Sequence, residues 1–326
     1  MTVIAHPPRA VLPLNYFGIP LGLAGLGGAW SAARQYLGAP GLPAEILYVA
    51  AALLWAGFTA VYAVGTVRSR GSLRAAVRHP LSGPLTAFVP VVAILLIVHY
   101  GPLLGGAARA LLYVAVGALA LLAAVLVAHW LDGSLERDEL HTGYFLPVVA
   151  GSFVASIGFT GLGEHRAAVA AFGIGIYFWL TLGAVLFGRL VVGGALPPPA
   201  RPMLAILLTP PGVASIAWFA ATGGAVDGIQ LALGGVMFLM VLVQLVHLPG
   251  YLRVPFGLQH WTFTFPLAIL GNDGVRWAGA LHFGGWRPAA WALLAVVTAL
   301  IGAIALRTLG GALPGGLGER RAPSPG

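Results

Sequence analysis

The sequence predicts an all-α polytopic membrane protein, with ten transmembrane helices paired as five helical hairpins, and three observations predict it. Hydrophobic residues make up 59% of the 326-residue chain and charged residues only 8%, with a mean hydropathy of +0.92; an average soluble domain carries roughly 25% charged residues. Apolar runs of about 20 residues, the length that crosses a bilayer core, recur from one end to the other. Prolines interrupt alternate runs, at Pro20, Pro90, Pro147, Pro210 with Pro211, and Pro266.

In order, the ten runs cover 16–37, 46–67, 83–101, 108–130, 144–162, 167–190, 203–222, 228–248, 258–281 and 289–307. Short connections such as Gly101 to Ala107 and Leu162 to Arg166 join neighbours into hairpins. The odd-numbered runs hold the prolines. A proline inside a helix removes a hydrogen bond and crowds the preceding turn, and a bilayer tolerates that only where protein, hydroxyls or water re-satisfy the backbone. Broken spans alternating with unbroken ones therefore predict an inner ring of five Pro-kinked odd helices around a central pore, backed by an outer ring of straight even helices. The expected organisation is a cytoplasmic N-terminal segment (1–15), one transmembrane domain (16–307) and a disordered cytoplasmic tail (308–326) rich in Gly, Pro and Arg.

Arginines near span ends stay preferentially on the cytoplasmic side. The side holding both termini carries Arg9, Arg68, Arg70, Arg74, Arg78, Arg137, Arg189, Arg201, Arg253, Arg307, Arg320 and Arg321, against Arg34, Arg109, Arg166, Arg276 and Arg287 on the other. Both termini are expected in the cytoplasm, in a multi-pass protein of the cell (inner) membrane, with Arg68 to His79 as the main basic loop. Met1 to Tyr16 lacks a cationic start followed by an apolar core and is not expected to be a secretory signal peptide. The chain has no cysteine, which excludes disulfides, thiolate metal sites and cysteine nucleophiles. All 17 basic residues are arginine, so Schiff-base and P-loop lysines are excluded too.

Buried carboxylates usually mark coupling sites in carriers, yet the first, third, fifth and seventh runs have no Asp, Glu or Arg away from their ends. What the broken runs do hold is hydroxyls: Thr86, Ser152, Ser156, Thr160, Thr209, Ser215, Thr262 and Thr264. With no fixed charge in the lumen, any anion preference has to come from hydroxyl and N–H donors and a diffuse positive field, which the formal net charge of +8 supplies in part. The ninth run differs, because it continues through Asn272, Asp273 and Arg276. At spacing i, i+3 Asp273 and Arg276 are placed to pair as an ordinary interfacial pair; the alternative puts Arg276 in the outer vestibule of an anion path. His99, His129 and His247 lie near span ends as interfacial side chains, and His260 is either an interfacial anchor or a pH-sensitive modulator. Ser215 has no histidine partner and reads as a packing or lining serine rather than a nucleophile. No metal-ligand spacing occurs.

Asn15 to Ala24 (NYFGIPLGLA), His141 to Ala150 (HTGYFLPVVA) and Trp261 to Pro266 (WTFTFP) resemble the bacterial tellurite-resistance, C4-dicarboxylate transporter and plant slow anion channel family. The likeness covers the chain from Leu14 to Leu306, and its specificity lies in the order and spacing of these segments. The resemblance implies a homotrimer in which each subunit has its own pore, lined by the five odd spans and occluded by a phenylalanine of the ninth. That residue falls on Phe265, with Phe263 two residues away as the competitor. Pro20, Pro90, Pro147, Pro210, Pro266, Phe263, Thr262 and Thr264 are the accompanying pore-lining or kink candidates. The function so implied is an anion channel or facilitator for small monovalent anions; the alternative is a secondary carrier or efflux protein for C4-dicarboxylate, sulfite or tellurite oxyanions. The partners are small inorganic or organic anions and the lipid bilayer. No enzyme activity, nucleic acid, cofactor or metal is expected.

Overall fold

At Pro20, Pro90, Pro147, Pro210 with Pro211, and Pro266 one kind of helix gives way to another, whereas Pro102 and Pro249 lie inside continuous α-helices. The computed structural model describes residues 12–68, 72–133, 135–194 and 196–312; most of the N-terminal segment and tail, and the middle of the basic loop, lie outside the described residues. The α-helices are α1 (Gly18–Leu37), α2 (Leu42–Arg68), α3 (Ser72–Arg78), α4 (Phe88–Leu104), α5 (Gly106–Leu131), α6 (Gly151–Gly161), α7 (His165–Val192), α8 (Thr209–Ala221), α9 (Gly228–Tyr251), α10 (Thr264–Leu281) and α11 (Trp286–Ala312). Among the described residues there is no strand.

Tight 3₁₀ turns lead into α1 (Leu14–Phe17), α4 (Pro84–Ala87), α8 (Pro198–Leu208) and α10 (Leu258–Phe263), and a π-turn (Leu146–Ala150) leads into α6. Pro20, Pro90, Pro210, Pro211 and Pro266 stand in the first three residues of their α-helices, and Pro147 in the π-turn. The expected mid-helix kink is thus a junction. In a first turn the missing N–H costs little and the fixed φ near −65° suits the helix.

Among the described residues eight helical segments are long and apolar enough to cross a membrane, fewer than the ten expected. The two that fall short are α1 and α10. α10 carries Asn272, Asp273 and Arg276, and α1 carries Ser31, Arg34 and Gln35 among many glycines. Both are enclosed by other helices, with Ala29, Ala32, Ala33, Ala268 and Val275 fully buried, so protein rather than lipid decides their composition.

Packing contacts run from α1 to α4, α4 to α6, α6 to α8, α8 to α10 and α10 back to α1, closing a cycle. α2, α5, α7, α9 and α11 pack respectively on α1, α4, α6, α8 and α10. Burial separates the layers: 89% of the apolar window of Thr142–Gly161 is buried, against 22% for His165–Val192 and 17% for Gly228–Tyr251. Outer faces carry exposed large apolar residues such as Leu53, Val114, Leu180 and Val246, the composition of a lipid-facing surface.

Glycines of α1 make room for side chains of α10. A Cβ on Gly22 would stand 2.0 Å from Thr264 Oγ1, and one on Gly25 would stand 2.8 Å from Phe265 Cδ2. Small residues let helix backbones meet where no hydrophobic effect drives them together.

Candidate functional site

The first turns of the five ring segments converge on one cavity of about 230 Å³. Its walls come from every one of them: Gly18 and Leu21 of α1, Leu85 and Phe88 at the start of α4, Leu146 and Ala150 before α6, Met203, Ile206 and Thr209 at the start of α8, and Thr262, Phe265 and Pro266 of α10 and its lead-in. Among the described residues none that lines it is charged; the polar side chains are Asn15, Thr209, Gln259 and Thr262. Because the lead-in turns continue into α-helices, the positive ends of the macrodipoles of α1, α4, α6, α8 and α10 point at this space.

Phe265 is 4% exposed and lies between the cavity and α1, its ring in the notch left by Gly25. No cavity-lining residue of α1 lies beyond Leu21, and none of α10 beyond Pro266. Phe263 points elsewhere: its ring stands edge-on to Tyr251 at 4.9 Å and 5.9 Å from His260. Two residues apart on a helical path, the two phenylalanines face different sides. Thr262 and Pro266 line the cavity. Thr264 is fully buried, fills the Gly22 notch and donates to Trp261 O at 2.7 Å. Pro20, Pro90 and Pro210 are not among the lining residues, and Pro147 faces a lateral groove between α5 and α7.

The expected Asp273–Arg276 pair does not form among the described residues. Asp273, 2% exposed, accepts a hydrogen bond from Ser215 Oγ at 2.5 Å, and Ser215 in turn accepts from Gln230 Nε2 at 2.6 Å. Arg276 donates from Nε to Asn272 Oδ1 at 2.8 Å and stands 5.9 Å over the Tyr36 ring. A short carboxylate on one side of α10 meets the serine of α8 before it can reach the guanidinium one turn on. Ser215 therefore bridges three helices, α8, α9 and α10.

His141 is buried two residues before Gly143, which lines the cavity. Its Nδ1 accepts from Gly143 N at 3.1 Å, which leaves Nε2–H to donate to Pro80 O at 3.3 Å, and Tyr144 Oη donates to the same carbonyl at 3.2 Å. The 79–83 turn is thereby pinned, and its Leu81 lines the cavity together with Leu85. Burial pushes the His141 imidazole down to about 4. His99 pairs with Glu45 at 3.1 Å and stacks on Tyr48 at 3.7 Å. Asn15, Gln259 and Trp261 were missed as cavity residues; their signal was their place a few residues before Pro20 and Pro266, in the 3₁₀ turns that lead into α1 and α10.

A family described as "SLAC1: Voltage-dependent anion channel" matches residues 11–309. The chain belongs to that family. The voltage-dependent anion channel family consists of channels and transporters, not enzymes. Among its relatives, the tellurite resistance protein TehA homolog of Haemophilus influenzae is 28% identical over 268 residues, 81% of this chain and 80% of that protein. The S-type anion channel SLAH2 of Arabidopsis thaliana is 23% identical over 276 residues, 82% of this chain and 52% of the plant protein. The guard cell S-type anion channel SLAC1 of the same plant is 25% identical over 182 residues, 55% of this chain and 32% of that protein. The chain thus spans about half or less of these plant members of the voltage-dependent anion channel family.

Proposed function

We propose that the cycle of α1, α4, α6, α8 and α10 encloses an anion pathway and that the protein is a channel or facilitator for small monovalent anions. The observation that carries this reading is the uncharged cavity where five helix N-termini converge and where Phe265 forms the wall. An anion there is attracted by dipoles and hydroxyl donors without being held by a fixed charge, which suits passage better than tight binding. The Phe265 ring closes the path, as an apolar constriction excludes water and raises a barrier to any ion. On this reading α1 and α10 also cross the bilayer, giving ten spans as five hairpins, with both termini in the cytoplasm of a cell-membrane protein. The assembly is a homotrimer with one pathway per subunit, and Arg276 stands in the outer vestibule.

The second reading, a carrier or efflux protein for tellurite, sulfite or C4-dicarboxylate oxyanions, is favoured by the likeness to the tellurite resistance homolog over four-fifths of both chains. Reversal potentials of the purified protein in planar bilayers separate the two. A channel passes current without a proton gradient and saturates little with anion concentration; stoichiometric proton coupling is the signature of the carrier. Phe265→Ala increases the current if the ring is the gate.

A further inference from the structure

A second concavity lies on the outside of the ring, between α7, the 3₁₀ turn Pro198–Leu208 and α9, with a volume of about 430 Å³. A 3₁₀ turn repeats every three residues, and this one divides its faces accordingly. Met203, Ile206 and Thr209 line the central cavity, whereas Arg201, Leu204 and Leu207 line the outer groove. Tyr251 Oη donates to Gln244 Oε1 at 2.6 Å and Gln244 Nε2 donates to Leu204 O at 3.2 Å, which fastens the turn to α9.

The groove is amphipathic along its length. At one end are Arg201, His247 and Tyr251, where α9 and α7 terminate; from there the walls are apolar through Leu207, Val243 and Met240. Met240 lies seven residues before His247, so the apolar part descends about 10 Å along the helix. Arg201 is half-buried and has no ion-pair or hydrogen-bond partner among the described residues. Behind it, Arg189 donates to Gly194 O at 3.2 Å, and Gly194 lines the same end. From Phe187 to Tyr251 the only acid is Asp227, at the opposite end of α9. A partnerless cation at the surface level of a lipid-facing apolar groove matches a phosphate joined to an acyl chain.

We propose that this groove binds an anionic glycerophospholipid, with its phosphate on Arg201 and His247 and an acyl chain along Leu204, Leu207 and Met240. The site requires only that α7 and α9 lie in the membrane and is independent of what passes through the ring.

The test uses purified, delipidated full-length protein in detergent. Phosphatidylglycerol raises the thermal midpoint by several degrees because a ligand of the folded state stabilises it, and native mass spectrometry shows it bound; phosphatidylcholine and glycerol 3-phosphate do little. Arg201→Gln and Leu204→Trp, which fills the groove, abolish most of the shift. His247 is exposed, so His247→Gln supplies a folded variant with a weakened shift if Arg201→Gln fails to fold. Equal responses to phosphatidylglycerol and phosphatidylcholine, an equal response to glycerol 3-phosphate, or an undiminished shift in the charge variants overturns the proposal. So does efficient disulfide formation between copies of Val191→Cys in a chain without native cysteine, since a second copy then covers the groove.

Discussion

Phe265 and Gly25 form a lock between α10 and α1: a Cβ on Gly25 would meet Phe265 Cδ2 at 2.8 Å and the Ala268 Cβ at 3.1 Å. The ring can rest beside the cavity only because α1 presents no side chain there. Gly25→Ala is therefore expected to push the ring out of its notch, costing about 1–3 kcal/mol of stability as overpacking does. In planar bilayers it raises basal anion current, by less than Phe265→Ala. A folded Gly25→Ala protein with wild-type current and wild-type thermal midpoint refutes the lock.

Phe265→Ala removes the ring from the cavity wall, and a large increase in current is expected from protein that still elutes as the wild type does. Phe263 packs on Tyr251 outside the cavity, so Phe263→Ala lowers stability and leaves current near the wild-type level. If Phe265 were only a core residue, truncation would cost about 3–5 kcal/mol and the path would stay shut. Comparing the two variants by current and melting distinguishes these outcomes.

An uncharged lumen cannot compensate a strongly hydrated ion for lost water. Permeability is expected to rise from chloride to nitrate and to be low for sulfate. Sulfate passing more readily than nitrate in a reversal-potential series requires a fixed charge that the cavity walls do not contain.

Arg276 is held by Asn272 rather than by Asp273, so its charge is not cancelled by an ion pair among the described residues. Arg276→Gln is expected to reduce conductance at low salt, with the deficit fading as the Debye length falls from ~30 Å at 0.01 M to ~3 Å at 1 M. Conductance unchanged at every salt concentration removes Arg276 from the vestibule. Ser215→Ala acts differently: it strands the Asp273 carboxylate and Gln230, with an expected loss of about 1–3 kcal/mol and no salt dependence.

His141 is neutral in the folded protein because burial lowers its pKa from 6.5 to about 4. Between those values the unfolded chain takes up a proton that the folded protein refuses, so stability falls as pH drops below 6.5 and the loss levels off below 4. The full effect is roughly 3 kcal/mol. His141→Asn is expected to flatten the melting midpoint over that interval. An unchanged pH profile in that variant assigns the acid sensitivity to another group.

The membrane class, the span boundaries to within a few residues and the five proline positions were legible in the chain, because lipid filters every exposed side chain by transfer free energy and proline states its own backbone limits. α1 and α10 are enclosed by other helices, so hydropathy understates them. Composition could not show that Pro266 starts a helix rather than bending one, since the 3₁₀ turn before it is stabilised by its neighbours. Spacing alone brought Asp273 toward Arg276; packing gave it Ser215 from 58 residues away. That Phe263 and Phe265 face different ways follows from their spacing of two; which of them meets the cavity depends on the space left by Gly25, 240 residues earlier in the chain. Periodicity reports which surface meets lipid. Which side chains meet one another inside the ring is decided by contacts between distant segments, and only the tertiary structure contains them.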